Sequence, residues 1–492
     1  MCLLRPWQTK IWLSRRSGES IYTTLSNQIA EDICSGRLAS GHMMPGSRTL
    51  ALQLGINRKT VQQVYEELES QGWLVSKPRR GTYVAEMLPE LSLSCENQEL
   101  VSRTQAALTT GNSFEEKLLS SHNAMESSSI NDGVPDTRLI PFELLSRAFR
   151  RAIVQTSRQP YLGYGDPKGT DSLRQSLQHM LNMDRFMNVT TDQICVVRGS
   201  QMAIYLSSKV MDPAQGVMVV ESLSYSPAVA AFESNGFNVV RCRQDERGLD
   251  VEDLEKILSC YQVAGVYTTP HHQYPTTVSL TMDRRLKLLQ LSKLHGFAIL
   301  EDDYDHEFHY ESRPIPPLAS LPNSENVIHI GSLSKVFAPG LRLGYMVSSP
   351  VFINRVAKEV TLIDRQGSTV TELAVADLMQ SGDVKRHIRK VRKVYQARRD
   401  HAASELQRIF NDNVSFRLPL GGLALWIDIS QLLTVYGDDK SEDFLSNLPV
   451  LSGSKLFTSA ESILPAHVRF GFGALTKGEI TTALEQFAGQ VM

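Results

Sequence analysis

A lysine flanked by serines is the first feature of this sequence that suggests covalent chemistry. Lys335 ends the segment Gly-Ser-Leu-Ser-Lys, directly after the apolar run at residues 327–330. Its amine can form a Schiff base with an aldehyde. The hydroxyls of Ser332 and Ser334 can donate to a phosphate, and Arg342, seven residues after the lysine, can add charge-assisted contacts. The segment therefore predicts a covalent site beside a phosphate.

Two further strand-end segments supply a carboxylate and aromatic rings. Asp302 follows the apolar run at residues 297–300, and Tyr304 comes two residues later. A carboxylate in that place can keep a pyridine nitrogen protonated, and a tyrosine hydroxyl can donate to a phenolic oxygen. Tyr225, in the segment Glu-Ser-Leu-Ser-Tyr, can stack against a ring. These residue types suit an aromatic, nitrogen-containing cofactor.

The segment Gly199-Ser200-Gln201 suits a phosphate. It follows a short apolar run at residues 194–197 and precedes the helix-like stretch MAIYLSSKVM. A helix that begins there points its first backbone N–H groups at an anion. A Schiff-base lysine, a carboxylate, a stacking ring and phosphate donors are the groups that pyridoxal 5'-phosphate requires. The sequence therefore predicts a pyridoxal phosphate site.

The carboxylates around Asp302 also admit a magnesium site. Glu301, Asp302, Asp303 and Asp305 offer the hard oxygen ligands that Mg²⁺ prefers. Alternation along the end of a strand points them to different sides, however, and no phosphate-loop motif accompanies them. We therefore expect no metal.

Short runs rich in valine and isoleucine recur in the large C-terminal part of the chain, and amphipathic stretches such as residues 283–294 separate several of them. The runs occupy residues 216–220, 237–240, 263–267, 297–300 and 327–330. Strands joined by crossover helices form a largely parallel sheet that is covered on both faces. Ligands of such sheets bind beyond the carboxyl ends of the strands, where the candidate residues lie.

Length and composition indicate a globular protein with more than one domain. The chain has 492 residues, of which 42% are hydrophobic and 21% are charged. Six scattered cysteines without a CxxC pair argue against a zinc site or a disulfide framework and favour a reducing cytosol. No run of 18 apolar residues predicts a membrane span. A serine-rich stretch, residues 87–129, is typical of a linker between domains at residues 15–86 and 130–492.

The N-terminal domain has the pattern of three helices followed by a hairpin. Glycines follow each helical stretch, and Asn57 is a favourable N-cap for the third helix. The helical patterns cover residues 22–35, 47–54 and 58–71, and the β patterns cover residues 73–77 and 82–86. This order predicts a winged helix-turn-helix.

Basic residues of this domain are candidates for DNA contact. Residues 1–86 contain eleven lysines and arginines against seven acidic residues, whereas the remainder of the chain is acidic overall. In a winged helix-turn-helix, the start of the third helix and the hairpin tip can reach phosphates and bases. The candidates are Arg48, Arg58, Lys59, Thr60, Arg79 and Arg80.

Longer motifs bring a family resemblance. Residues 36–84 resemble the DNA-binding domain of GntR-type bacterial regulators. The chain from about Tyr161 onward resembles a fold type I aminotransferase, and TTPHHQYPTT, AILEDDYDHEF, IGSLSKVFAPGLRLGY and HVRFGFG are similar to motifs of the MocR subfamily of GntR regulators. The resemblance implies an α/β protein with an N-terminal winged helix-turn-helix and a pyridoxal phosphate-dependent aminotransferase-like domain. That domain would contain a mainly parallel seven-stranded sheet.

The resemblance also assigns roles to single residues. It implies that Lys335 is the Schiff-base lysine, Asp302 the pyridinium partner, Tyr304 the partner of the phenolic oxygen and Tyr225 the stacking ring. Arg469, in Val-Arg-Phe-Gly-Phe, falls where the family holds the carboxylate of an amino acid effector or substrate. Related domains build this site at a subunit interface, so a homodimer is implied.

Three segments limit which properties of the family are expected in this chain. Related domains have Pro-Thr-Gly where this chain has Pro-Thr-Thr at residues 275–277, so we expect the turn to differ without its permissive glycine. Pro227 stands where a GABA-responsive member has an arginine, which disfavours GABA as an effector. The His-His-Gln segment at residues 271–273 either contacts a cofactor oxygen or, as is more common for such histidines, has a structural role.

Two functions that use the cofactor are compatible with this sequence, and a third option is an aminotransferase-like domain whose site binds no cofactor. The first is a cytoplasmic, nucleoid-associated transcriptional regulator that binds a double-stranded operator and senses pyridoxal phosphate or its imine with a small amino compound. It would control metabolism related to amino acids or vitamin B6. The second is a catalytically active aminotransferase with a DNA-binding appendage, since a freed Lys335 can act as a base. A catalyst has no need of a winged helix, so the fusion favours the regulator.

Overall fold

A computed structural model gives the structure of the protein in two compact units, divided between Glu116 and Lys117. The described residues are 20–78, 80–86, 88, 133–158, 163–310, 315–333, 335, 338–435, 456–459 and 462–491. Nearly all of the predicted linker therefore lies outside the described residues. No helix in these ranges is long and apolar enough to cross a lipid bilayer.

The N-terminal unit contains three helices and a hairpin, as the sequence predicts. Its elements are α1 (Ile21–Cys34), α2 (Ser47–Leu54), α3 (Arg58–Ser70), β1 (Leu74–Lys77) and β2 (Gly81–Val84). The side chains of Ser20 and Asn57 cap α1 and α3 by accepting backbone N–H groups. Gly55 ends α2 with a φ of +64°, a conformation that glycine adopts at little cost.

One apolar core holds this unit together. Leu25 and Ile29 of α1 are fully buried, as are Val64 and Leu68 of α3. Each pair is spaced by four residues, so one face of each helix points inward. Strands β1 and β2 pair in antiparallel fashion and close the unit. The winged helix-turn-helix prediction is thus confirmed in the order and pairing of the elements.

A seven-stranded sheet lies at the centre of the C-terminal unit. The strands of this unit up to residue 347 are β3 (Ile194–Val197), β4 (Val217–Glu221), β5 (Val239–Cys242), β6 (Gln244–Asp245), β7 (Gly248–Leu249), β8 (Val263–Thr268), β9 (Ala298–Asp303), β10 (Val327–Ser332) and β11 (Gly344–Val347). The sheet has the order β3-β11-β10-β9-β8-β4-β5, and β6 and β7 form a separate two-stranded ribbon. Neighbours are parallel except at β11, which is antiparallel to β3 and β10. The predicted, mainly parallel sheet is confirmed.

Helices cover both faces of this sheet. They are α4 (Phe142–Arg158), α5 (Asp171–Asp184), α6 (Ser200–Val210), α7 (Ser226–Ser234), α8 (Val251–Cys260), α9 (Met282–His295), α10 (Pro350–Ile363) and α11 (Thr369–Gln380). Met218 of β4 packs in one core with Phe232 of α7, whereas the next residue, Val219, packs in another with Leu288 of α9. Successive strand residues therefore enter different cores, which explains why the strands read as continuous apolar runs.

The end of the chain forms a second layered region. It comprises α12 (Asp383–Phe410), β12 (Ser415–Phe416), β13 (Ala424–Asp428), α13 (Ser430–Val435), β14 (Leu456–Ser459), β15 (Ser462–Gly471) and α14 (Lys477–Val491). The four strands form an antiparallel sheet in the order β12-β13-β15-β14. Its core includes Phe410, Phe472 and Leu484. Strand β15 carries Arg469 opposite Trp426 of β13.

Candidate cofactor site and nucleic-acid surface

The candidate Schiff-base lysine lies next to the predicted tyrosine. Lys335 is half-buried and follows β10, and Tyr304 directly follows the neighbouring strand β9. The Nζ atom of Lys335 is 4.0 Å from the centroid of the Tyr304 ring. The Tyr304 hydroxyl donates to the backbone oxygen of His272 at 2.9 Å. Parallel neighbouring strands thus bring these two side chains to one edge of the sheet.

Asp302 offers the acceptor that a protonated ring nitrogen requires. Its Oδ2 accepts from the Tyr267 hydroxyl at 2.9 Å, and its Oδ1 is buried without a hydrogen-bond partner among the described residues. Burial raises the pKa of Asp302 to about 7, while the Tyr267 hydrogen bond and the charge of Lys335 oppose that rise. An unpaired buried oxygen is costly, so a cationic donor placed there fits this site.

The phosphate end of the candidate site combines a helix N-terminus with a guanidinium. Helix α6 begins at Ser200, after Gly199 with a φ of +82°. A Cβ at residue 199 would lie 3.1 Å from an Nη atom of Arg342, so glycine permits the close approach. That guanidinium donates to the Arg198 backbone oxygen at 3.1 Å. Gln201 donates to a carbonyl of α7 at 3.0 Å. Gly199, Ser200 and Arg342 are thus brought together and fit a phosphate.

The structure describes two of the three remaining predicted cofactor residues, Tyr225 and Ser332. Tyr225 precedes α7, and its ring meets that of Tyr274 edge-on, with 5.4 Å between the centroids. Ser332 is buried at the end of β10. Ser334 lies outside the described residues. The stacking and phosphate roles of these three side chains stay predictions.

Arg469 is buried and bound to the turn that departs from the family pattern. One Nη atom donates to the Pro275 backbone oxygen at 2.7 Å, and the guanidinium carbon is 4.9 Å from the Tyr274 ring centroid. Tyr274 in turn contacts Tyr225. Through these contacts, Arg469 is joined to the predicted stacking ring.

Thr277 keeps a left-handed backbone in that turn, with a φ of +62°. The backbone N–H of Thr277 donates to the Gln273 oxygen at 2.7 Å, and the N–H of Gln273 donates to the Val278 oxygen at 2.8 Å. A tight turn is therefore present although its permissive glycine is absent. A β-branched residue in this conformation is strained.

Replacing Thr277 with glycine is expected to stabilise the protein. Relief of a strain of about 1 kcal/mol or more outweighs the extra freedom that glycine gives the unfolded chain. The unfolding temperature, measured by calorimetry, should therefore rise. Thr276→Gly is the matched control and should lower it, because the Thr276 hydroxyl donates to Gln273 Oε1 at 2.6 Å. A lower unfolding temperature in Thr277→Gly would contradict the inferred strain.

The four carboxylates considered for magnesium contact different groups. Glu301 accepts from the Leu318 backbone at 2.6 Å, and Asp305 lies 2.8 Å from His272 Nδ1. Asp303 accepts from Arg185 at 3.1 Å. A backbone N–H, an imidazole and a guanidinium are thus the partners of these three carboxylates.

Two tyrosines of the site were missed in the sequence. Tyr267 lies on β8, whose register places it beside Leu300 of β9, two residues before Asp302. The alternation of side chains along β8 and its parallel pairing with β9 could have indicated the contact between Tyr267 and Asp302. Tyr274 lies in the TTPHHQYPTT motif but contacts Tyr225 from a distant part of the chain. No local pattern predicts that contact.

The N-terminal unit presents cations from three elements. Arg58 and Lys59 are exposed in the first turn of α3, whose cap Asn57 accepts the Lys59 N–H at 2.8 Å. Arg48 is exposed in α2, and Arg80 is exposed in the hairpin turn. Thr60, the residue after Lys59, is half-buried. Arg79 lies outside the described residues. An exposed helix start with cationic side chains is suited to phosphate contact.

Comparisons with known families match both units. Residues 135–487 match the family model "Aminotransferase class I and II", and residues 21–84 match "Bacterial regulatory proteins, gntR family". The aminotransferase match covers most of the chain. Aminotransferases of this class depend on pyridoxal phosphate.

Two similar regulators align with this chain over most of the length of both proteins. The uncharacterized HTH-type transcriptional regulator YdeL of Bacillus subtilis is 26% identical over 418 residues, which cover 85% of this chain and 86% of the relative. The probable rhizopine catabolism regulatory protein MocR of Rhizobium meliloti is 26% identical over 387 residues, covering 78% and 77%.

Among solved structures, the multiple substrate aminotransferase of Thermococcus profundus shares the fold. It has a TM-score of 0.68 at 24% identity and covers 80% of this chain and 98% of its own. The chain also has a gntR-family domain, and this combination of domains is the one that the sequence predicted from its resemblance to the MocR subfamily. The chain therefore belongs to the aminotransferase class I and II family.

Proposed function

We propose that this protein is a pyridoxal phosphate-dependent transcriptional regulator whose aminotransferase unit senses the cofactor, alone or joined to a small amino compound. One observation carries the proposal. The same chain combines exposed cations at the start of α3 with a unit that places Lys335 against Tyr304 beside Asp302. An enzyme would require only the second of these features.

Each side chain of the site has a defined task in this proposal. Pyridoxal phosphate supplies an aldehyde that reacts with amines and a ring that withdraws electrons. Lys335 provides the amine, and Asp302 Oδ1 holds the proton on the ring nitrogen. The start of α6 and the guanidinium of Arg342 bind the phosphate. These assignments rest on the buried Oδ1 atom of Asp302 and on the close approach of the Arg342 guanidinium to Gly199.

The effector is an amino compound that carries a carboxylate. Arg469 is almost fully buried, and its bond to the Pro275 backbone orients the guanidinium. A carboxylate that binds this guanidinium would lie next to Tyr274, which contacts Tyr225. Charge-assisted bonds of this kind give both affinity and orientation.

Regulation requires that a ligand bind one conformation of the protein better than another. We propose a homodimer that acts in the bacterial cytoplasm, where its two winged helices bind the half-sites of one operator. An effector that exchanges with Lys335 changes which dimer conformation is favoured. Operator affinity then reports the state of the cofactor site.

Substituting Arg58 with alanine tests the DNA-binding half of this proposal. We expect about tenfold weaker binding to a duplex from the region upstream of the protein's own gene, since a contact of this type contributes about 1–3 kcal/mol. The visible absorbance of bound pyridoxal phosphate should not change. Fluorescence anisotropy and an absorbance spectrum of the same samples measure the two properties.

The matched control is Arg37→Ala, an exposed arginine of the same unit that pairs with Asp32 at 2.6 Å. It should alter DNA affinity less than threefold. Equal losses in the two variants would indicate that total charge, rather than the start of α3, determines binding. Joint loss of DNA binding and cofactor absorbance in Arg58→Ala would contradict two separate modules.

A working aminotransferase is the second candidate. It is favoured by one observation: Lys335 lies against Tyr304 and close to Asp302, the residue types that such catalysis uses. Incubation of the loaded protein with a panel of amino acids and a keto acid distinguishes the two. Repeated turnover at about ten per second, an ordinary enzymatic rate, would support the enzyme. A single conversion per site would support the regulator.

A further inference from the structure

A buried cluster of two histidines and one aspartate has no task in the proposed function. Asp303 ends β9, His306 follows it by three residues, and His271 lies in the loop after β8. One nitrogen or oxygen atom from each side chain lies within 4.8 Å of the other two. Their exposures are 1%, 6% and 6%. Three potential ligand atoms thus converge away from solvent.

The hydrogen bond of His271 determines which ring nitrogen is free to act as a ligand. Its Nε2 lies 2.5 Å from the Ile315 backbone oxygen. A carbonyl oxygen only accepts, so Nε2 carries a proton, and Nδ1 is the ring nitrogen left to bind a metal ion. Metal-bound histidines commonly have this arrangement, in which the second nitrogen donates to a carbonyl.

Nδ1 of His271 faces a carboxylate oxygen. Nδ1 is 3.2 Å from Asp303 Oδ1, and neither atom has a hydrogen-bond partner among the described residues. Buried polar atoms of this kind require a partner, and either a proton on Nδ1 or a metal ion bound to both atoms supplies one.

The other side chains of the cluster lie around the contact between His271 and Asp303. His306 Nδ1 also lacks a hydrogen-bond partner in the described ranges and lies 3.0 Å from Asp303 Oδ2. Arg185 donates to that Oδ2 at 3.1 Å and to Glu307 at 2.6 Å. The guanidinium therefore orients the carboxylate and leaves Oδ1 toward His271, as outer partners of metal ligands do.

We propose that His271, Asp303 and His306 bind a divalent transition-metal ion of the zinc type. Two imidazole nitrogens and one carboxylate oxygen form a three-ligand set that Zn²⁺ accepts, with a fourth position left for a small molecule. Nitrogen ligands favour such an ion over Mg²⁺. His306 also lines a cavity of about 600 Å³, which gives the ion a path to the site.

Zinc retention by the full-length, cofactor-loaded protein tests the proposal. The protein is stripped with a chelator, dialysed against Zn²⁺ and analysed for metal. We expect about tenfold or greater loss of zinc affinity in His306→Gln and in His271→Gln relative to the unaltered chain. His401→Gln is the matched control, because His401 is a half-buried histidine of α12 that contacts the Thr481 hydroxyl. It should retain zinc as the unaltered chain does.

Equal zinc retention by all four proteins would overturn the site, because their cysteines are identical and would then account for the metal. Cobalt provides a second readout that needs no substitution. Co²⁺ bound to two imidazoles and a carboxylate gives visible bands at longer wavelengths than the cofactor absorbs. A chain without these bands at saturating Co²⁺ would contradict the proposal and indicate a carboxylate–imidazolium cluster without an ion.

Discussion

Replacing Lys335 with alanine is expected to abolish covalent retention of pyridoxal phosphate. The Lys335 amine lies 4.0 Å from the Tyr304 ring centroid, and it is close enough to Asp302 for its charge to oppose the rise that burial causes in the Asp302 pKa. Without this amine, the aldehyde has no partner at the edge of the sheet. After gel filtration, the variant should be colourless, whereas the unaltered chain should keep its visible absorbance.

DNA binding by Lys335→Ala should persist in the absence of cofactor, because the candidate contacts lie in the other unit. Lys209→Ala, an exposed lysine of α6, is the matched control and should retain the colour. A variant at position 335 that stays yellow after gel filtration would contradict the assigned linkage.

Replacing Asp302 with asparagine should have two effects of opposite sign. The first is a loss of cofactor affinity of about hundredfold or more, because removal of one partner from a buried ion pair costs about 3–5 kcal/mol. Oδ1 of Asp302 is the acceptor that the pair requires. Equilibrium dialysis of pyridoxal phosphate measures this loss.

The second effect is greater stability of the cofactor-free protein at high pH. Burial raises the pKa of Asp302 from its usual 3.8 to about 7, so folding favours the protonated acid. The stability that this proton contributes is complete below about pH 4 and is lost as the pH rises to about 7. A tenfold change in an acid's dissociation constant on folding corresponds to about 1.4 kcal/mol of stability.

The asparagine variant contains no such titration. Its unfolding free energy should equal that of the unaltered chain near pH 4 and exceed it by roughly 2 kcal/mol or more at pH 8. Calorimetry of cofactor-free samples measures the difference. Asp212→Asn, at an exposed position, should show neither effect. A variant that is less stable at pH 8 would show that the Asp302 carboxylate is favourably paired without cofactor.

Local signals explain why the N-terminal unit follows its prediction so closely. Asn57 accepts a backbone N–H at the start of α3, and Gly55 takes a left-handed conformation after α2. Both effects depend on neighbouring residues alone, so they can be read from sequence. The strands of the central sheet were also visible, because buried parallel strands are continuous apolar runs.

Contacts between distant segments could not be predicted in this way. His271 and Asp303 are 32 positions apart, and only the pairing of β8 with β9 brings them together. Arg185, from the end of α5, donates to Asp303 through a hydrogen bond that no local pattern predicts. The expectation that no metal binds considered the carboxylates around Asp302 and the spacing of the cysteines, whereas the proposed site draws its nitrogen ligands from His271 and His306.

Thr277 shows a further limit of family patterns. The missing glycine suggested a different turn, yet a positive φ is retained at a strained residue. Surrounding contacts, including Arg469 on the Pro275 oxygen, hold this backbone in place. Tertiary contacts therefore override the local preference of threonine.

The effect of pyridoxal phosphate on operator affinity tests the central claim most directly. Anisotropy titrations would compare the cofactor-free and loaded full-length protein on the duplex from upstream of its own gene. We predict dissociation constants that differ by about fivefold or more, as ordinary allosteric coupling gives, and loss of that difference in Lys335→Ala. Identical dissociation constants, with and without cofactor and with each amino compound tested, would contradict the account.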